Sequence, residues 1–251
     1  MAYGLTQSPL LVAATPSYFN TATSIAALGI TGDITGEAWV NFASMPADRA
    51  TIFGKNNAAG DGYATYAFEL LKSGANYDLR VVMSISGTPE AVVSKTSWNP
   101  STGTWYHVAF TRVSSTGACV ITIDGVSAAT NTSTTGATDA STAALTIGRF
   151  GTGGTGLSFD GRVSLVRVWD VQRSVATILA NMCTVYGTAT TNMQGEWSLD
   201  NVLTDASGNA STLTNVGTVV FATDTPSTCA VGNPIGKYVQ KMQAVRRSNY
   251  Y

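Results

Sequence analysis

Two acids stand four residues apart in GEWSLD, Glu196 and Asp200. Paired carboxylates are what glycoside hydrolysis needs, at about 5–5.5 Å for retention or about 6.5–9.5 Å for inversion. A regular strand rises about 3.3 Å per residue, which sets these two about 13 Å apart. The spacing argues against hydrolysis, and the chain is expected not to be an enzyme. The sole histidine, His107, lies inside a strand-like run, where a hydrogen-bonded structural role is expected. No G-x-S-x-G elbow raises a serine nucleophile. GTGGTG (151–156) looks like a phosphate loop, but no Lys-Ser/Thr and no helical pattern follow it. The three cysteines, Cys119, Cys183 and Cys229, lack metal-type spacing. Cys119 and Cys183 read as buried thiols, and a Cys183–Cys229 bridge is left open without being required.

These residues must be positioned by strands. In WYHVAFTR, Trp105, His107, Ala109 and Thr111 alternate with Tyr106, Val108 and Phe110. After a Ser/Gly turn, Cys119, Ile121 and Ile123 alternate with Val120 and Thr122, and Asp124-Gly125 closes the run. Period-two alternation of β-branched and aromatic residues predicts strands. Further runs at Thr51–Lys55, Ala64–Leu71, Tyr77–Ser86 and Ala91–Thr96 are separated by polar turns such as KSGAN and SGTPE. Regular short strands with such turns predict an all-β antiparallel sandwich or jelly roll. One short helix is expected after Ser174, a natural cap, with Val175, Ile178, Leu179, Met182 and Tyr186 at helical spacing. The polar stretch 127–142 is expected to be a long exposed loop.

Several blocks carry a family resemblance. WYHVAF followed by ITIDG, the upstream LGITGDITGEAWVNF, LTIGRF, FDGRVSLVRVWDVQRSVATI and GEWSLDNVLTDASGN occur in order between Ser17 and Phe221. Together they resemble the laminin-G-like and concanavalin A-like lectin (glucanase-fold) domains. Leu165 departs from the pattern, where many relatives carry Glu or Asp. The resemblance implies a concanavalin A-like jelly roll over residues 17–225. It leaves an N-terminal arm or edge strand at 1–16 and a basic C-terminal arm at 226–251. Many such domains hold calcium at one edge through carboxylates, amides and carbonyls. Calcium takes six to eight oxygen ligands, and here the candidates are Asp160, Asp200, Asp205 and Asn209. Asp205 and Asn209 in DASGN also suit a plain Asx-type turn. Glycan binding through loop-edge aromatics points to Tyr63, Tyr66, Trp98 and Phe150, each of which also suits packing at the rim.

Composition narrows the setting. Charged residues are only 12% of 251, and the net charge is −1. A nucleic-acid partner is not indicated, and no stretch reaches the length of a membrane span. After Asp224 there are no acids, yet Lys237, Lys241, Arg246 and Arg247 follow, making the tail +4 against about −5 for the rest of the −1 chain. Tyr238, Val239, Met242 and Val245 share one helical face there. Lys237, Tyr238, Lys241, Met242, Arg246 and Arg247 are therefore expected to form a docking arm for a protein partner in an assembly. The opening residues lack a basic region and a long apolar run, so a secretory signal is not expected. The favoured expectation is a non-catalytic lectin-like module on a virion surface, a capsid decoration protein with glycan adhesion. The alternative is a secreted or cell-surface polysaccharide-binding adhesin, with calcium as its candidate cofactor.

Overall fold

The WYHVAFTR…ITIDG segment folds as its alternation dictates, with Val108, Phe110 and Ile121 turned into the core. The hairpin that follows turns at Asp124 and Gly125, both with positive φ (52° and 73°). Paired positive φ is what a tight two-residue hairpin demands. The computed structural model describes residues 5–56, 64–151, 157–187 and 190–229. In chain order the strands begin with β1 (Ser8–Leu11), β2 (Tyr18–Asn20), β3 (Ile34–Phe42), β4 (Arg49–Asn56) and β5 (Ala64–Ser73). They continue with β6 (Asn76–Ile85), β7 (Thr88–Lys95), β8 (Trp105–Arg112), β9 (Ala118–Ile123) and β10 (Val126–Thr132). The last are β11 (Leu145–Ile147), β12 (Gly161–Trp169), β13 (Met193–Trp197), β14 (Thr214–Val216) and β15 (Val220–Ala222).

Two antiparallel sheets form a sandwich. The first runs β10-β9-β8-β3-β12-β1-β15, with β13 also paired to β12. The second runs β14-β2-β11-β4-β5-β6-β7. Between them lies one apolar core, in which Phe53, Phe68 and Phe110 meet with centroids 5.2–6.2 Å apart. Burial of this kind removes apolar surface from water and is the main force holding the layers together.

A short helix, α1 (Val175–Asn181), follows the cap expected at Ser174, whose Oγ accepts from the backbone N–H of Thr177 at 3.1 Å. The helix ends earlier than its apolar spacing predicted. Met182 and Cys183 lie beyond it, and Cys183 is disulfide-bonded to Cys229, so Cys183 is not a thiol. Cys119 is a buried free thiol, as expected. The stretch expected to loop from residue 127 instead begins as β10, paired along β9. Ser8–Leu11 is no free arm but a strand between β12 and β15. Among the described residues no helix is long and apolar enough to cross a membrane.

Candidate functional site

On β3, Ala38, Val40 and Phe42 point into the core, so Glu37 and Trp39 take the outer face of the first sheet. That face is covered by 170–187, and a charged cluster lies beneath the cover. Glu37 Oε2 stands 3.1 Å from Arg167 and 3.4 Å from His107 Nε2, while Oε1 stands 3.7 Å from Arg173. Trp169 Nε1 donates to Glu37 Oε1 at 3.1 Å. Arg167 also donates to the carbonyls of Thr184 (2.5 Å) and Asn181 (2.9 Å), tying down the end of α1. Burial works to raise the Glu37 pKa, but Arg167, His107 and Arg173 outweigh it and hold the group at about 2. Glu37, His107 and Arg167 are fully buried, so this cluster holds the fold and offers nothing to a ligand. His107 is buried inside the sheet as its strand pattern implies, but the hydrogen bond expected of it is only the 3.4 Å approach of Nε2 to Glu37 Oε2. The acidic partner was missed, although Glu37 and Arg167 are charged residues inside otherwise apolar strands.

The outer face of the second sheet carries a second set of polar side chains. On β5, Phe68 and Leu70 enter the core, which turns Glu69 outward. The register places Thr51, Glu69, Arg80 and Ser94 side by side across β4, β5, β6 and β7. A neighbouring row joins Asn20, Thr146 and Gly54 across β2, β11 and β4. Arg80 holds Glu69 Oε1 through Nε at 2.8 Å and Nη2 at 2.6 Å. The Arg49 guanidinium lies 5.5 Å from the centre of the Phe150 ring, and that of Arg149 lies 5.1 Å from the centre of Tyr18. Asn56 sits next to Gly54, where an added Cβ would stand 3.0 Å from the Asn56 Nδ2, so only glycine leaves the amide its place.

Among the described residues, this face has buried polar atoms without partners. Thr51 Oγ1, both polar atoms of the Asn56 amide, Glu69 Oε2 and the Nε atoms of Arg49 and Arg149 make no hydrogen bond. Thr51, Asn56 and Glu69 are at most 1% exposed, whereas the Arg49 and Arg80 side chains keep 26% and 22% exposure. Leaving a buried polar group unpaired costs about 1–3 kcal/mol. These orphaned atoms are as fully covered as those of Glu37, His107 and Arg167 on the first sheet, so what this face offers to a ligand is its part-exposed side chains, Arg49, Arg80, Arg149 and Phe150.

Of the four aromatics expected to meet glycan, Phe150 lies on this face. Tyr66 does not: it is fully buried in the core, its hydroxyl donates to the Leu28 carbonyl at 3.1 Å, and burial raises its pKa. The alternation that turns Glu69 outward turns Tyr66 inward. Trp98 packs edge-on against Phe42 and Tyr106, with centroids 6.2 and 5.3 Å away. Tyr63 and the docking-arm residues Lys237, Tyr238, Lys241, Met242, Arg246 and Arg247 lie outside the described residues.

Of the four residues expected to converge on calcium, Asp205 and Asn209 share the Ser207 hydroxyl, whereas Asp160 and Asp200 are engaged elsewhere. Asp160 accepts from Ser44 Oγ (2.5 Å) and the Ala13 N–H (3.4 Å). Asp200 accepts from Thr6 Oγ1 (2.8 Å) and the N–H groups of Thr6 (3.2 Å) and Gln7 (2.6 Å). Asp205 accepts from the N–H groups of Glu196, Ser207 and Ser211 and from Ser207 Oγ, all at 2.8–3.0 Å. Asn209 turns its Nδ2 to the carbonyls of Met193 and Gln194. The DASGN segment is thus an Asx-type turn, and among the described residues no three His, Cys, Asp or Glu side chains gather in one place. As arranged, the four side chains do not form a single calcium site. Glu196 likewise accepts from the Tyr186 and Gly187 N–H groups, each at 2.9 Å, and serves as a structural acceptor.

Known structures share this architecture. A protein from Bacteroides ovatus ATCC 8483, named as a candidate carbohydrate-binding protein, superposes with a TM-score of 0.66 at 22% identity over 88% of this chain. This chain spans 60% of that protein. A heptameric SAP-like pentraxin from Limulus polyphemus gives 0.64 at 11% identity, covering 88% of this chain and 97% of the pentraxin. Tailspike protein 2 of the Escherichia coli O157:H7 bacteriophage CAB120 gives 0.51 at 16% identity, over 76% of this chain and 26% of the tailspike. No curated protein matches the chain significantly. At such identities the likeness is one of fold. The family itself is shown by sequence: residues 14–179 match the third laminin-G family, and the chain belongs to the concanavalin A-like lectin/glucanase superfamily.

Proposed function

We propose that the chain is a non-catalytic carbohydrate-binding module of an extracellular protein, taking glycan on the outer face of the second sheet. One observation carries this reading: the part-exposed ring of Phe150 stands beside part-exposed arginines, Arg49 against the ring and Arg149 next to it in the chain. Sugars present hydroxyl groups at the edge of their rings and C–H groups on the faces, and such a surface answers both. The Bacteroides protein, named for carbohydrate binding, supports the reading. The Cys183–Cys229 disulfide supports an oxidising, extracellular setting. Glu69 is the carboxylate of the central row, and its pairing with Arg80 suits a binding surface better than an acid–base pair. A virion surface is a second reading, favoured by the likeness to a phage tailspike.

A glycan array with the wild type, Phe150→Ala and Arg49→Ala tests the assignment. Binding by the wild type that both substitutions weaken, with unchanged melting temperatures, is the expected result. Wild-type binding that neither substitution alters would move the site elsewhere, and no binding at all would overturn the function.

A further inference from the structure

We propose that the glycan bound on this face is anionic and that Arg149 receives its acidic group. This rests on the reading of the second sheet's outer face as a glycan site. The described arginines other than Arg149 have partners within the chain. Arg80 pairs with Glu69, Arg162 with Asp224, and Arg167 and Arg173 with Glu37. Arg112 donates to the carbonyls of Thr134 and Gly136, each at 2.9 Å. Arg49 has only long ion pairs, 3.9 Å to Asp48 and 3.9 Å to Glu69. Among the described residues Arg149 touches neither a carboxylate nor a carbonyl, and its Nε is buried without a hydrogen bond.

Arg149 is nevertheless held. Gly148 before it takes a left-handed φ of 88°, its own backbone bridges to Ser158, and its guanidinium lies over Tyr18 at 5.1 Å. A guanidinium already held over a ring loses less freedom when its planar fork meets an oxyanion. The next residue is Phe150, with Arg49 against its ring. Ring surface and a cation unpaired among the described residues are thus adjacent in the chain. The nearby carboxylate, Glu69, is already matched by Arg80, so it opposes an incoming anion less than its formal charge implies. An acidic sugar, as a carboxylate or a sulfate ester, is the ligand chemistry that answers this arrangement.

Equilibrium binding of the full chain to polygalacturonate, dextran sulfate and neutral dextran tests the assignment, at about 50 and about 500 mM salt. Wild type, Arg149→Gln and Arg149→Lys are compared, with a thermal melt of each. A polyanion should bind more tightly than dextran and weaken with salt, and Arg149→Gln should lower its affinity tenfold or more. Arg149→Lys should fall between, and it decides the matter should Arg149→Gln fail to fold. The carboxylated and sulfated arms identify the acidic group. Equal polyanion binding by wild type and Arg149→Gln overturns the proposal, as does a preference for dextran; loss of dextran binding in Phe150→Ala would then leave the glycan site standing. Binding of no polymer by the wild type, together with a blank array, overturns both.

Discussion

The indole N–H of Trp39 donates to the carbonyl of Met182 at 2.8 Å, joining the outer face of the first sheet to the segment that covers it. Trp39 is 2% exposed, so the bond is made away from water. Trp39→Phe keeps most of the apolar surface and leaves the Met182 carbonyl unpaired. It should destabilise the fold by about 1–3 kcal/mol. Urea denaturation reads this directly, and an unchanged midpoint would show that the cover is held by other contacts.

The same cover is stapled one residue further on by the Cys183–Cys229 disulfide. It closes a loop with a sequence separation of 46. The chain-entropy estimate for such a loop is about 4 kcal/mol. Cys183→Ser with Cys229→Ser should therefore melt well below the wild type, and dithiothreitol should lower the wild type to the level of the double variant. A reductant that also lowers the melting temperature of the double variant would break this account.

Beneath the cover, Glu37 gives a pH dependence. Its pKa is held at about 2 from an ordinary 4.5, so between these values the unfolded chain binds the proton that the folded chain refuses. Its stabilisation is full above about 4.5 and is lost as pH falls through about 2. Glu37→Gln should flatten that part of the stability–pH curve. At pH 7 it should cost roughly 3–5 kcal/mol, because Arg167 keeps its buried charge without its partner. Denaturation midpoints measured from neutral to strongly acidic pH in both proteins test the two effects together.

How far the sequence could be read depended on what its alternation encodes. Val108 and Phe110 face the core as their spacing requires, and Ser174 caps the helix it precedes. Alternation says which residues share a face but not which sheet face stays open. Tyr66 and Glu69 lie on one strand, and only the register across β4, β5 and β6 shows that the acid borders the candidate site while the tyrosine fills the core. Partnership was equally hidden. The carboxylates of Asp160, Asp200 and Asp205 look alike in sequence, and each is engaged by hydroxyl or backbone N–H donors remote from the others. Arg149 carried no sequence signal, because its distinction is the lack of a partner among the described residues.

The donors around Asp205 give a prediction about metal removal. Its two carboxylate oxygens already receive four hydrogen bonds from the Glu196, Ser207 and Ser211 backbone and the Ser207 hydroxyl. Chelation by EDTA and addition of calcium should both leave the melting temperature unchanged. Asp205→Ala should lower stability by about 2 kcal/mol or more, since it strands buried N–H groups. A calcium-dependent rise in melting temperature that Asp205→Ala abolishes would restore this residue as a ligand.

Thr51 separates stability from binding. Its Oγ1 is buried and unpartnered, and the whole residue is 0% exposed, so in the free protein the hydroxyl contributes a desolvation cost with no bond in return. Thr51→Val replaces that hydroxyl with a methyl group of similar size. The fold should become more stable by up to about 1 kcal/mol, because an unpaired polar atom is removed and β-branching is kept. A hydroxyl with no exposed surface does not touch a ligand, so glycan affinity should stay unchanged. Denaturation and glycan binding on the one variant therefore separate, the first moving and the second not. A Thr51→Val protein that is less stable would show that the hydroxyl serves the fold, and one that binds glycan more weakly would show that it reaches the ligand.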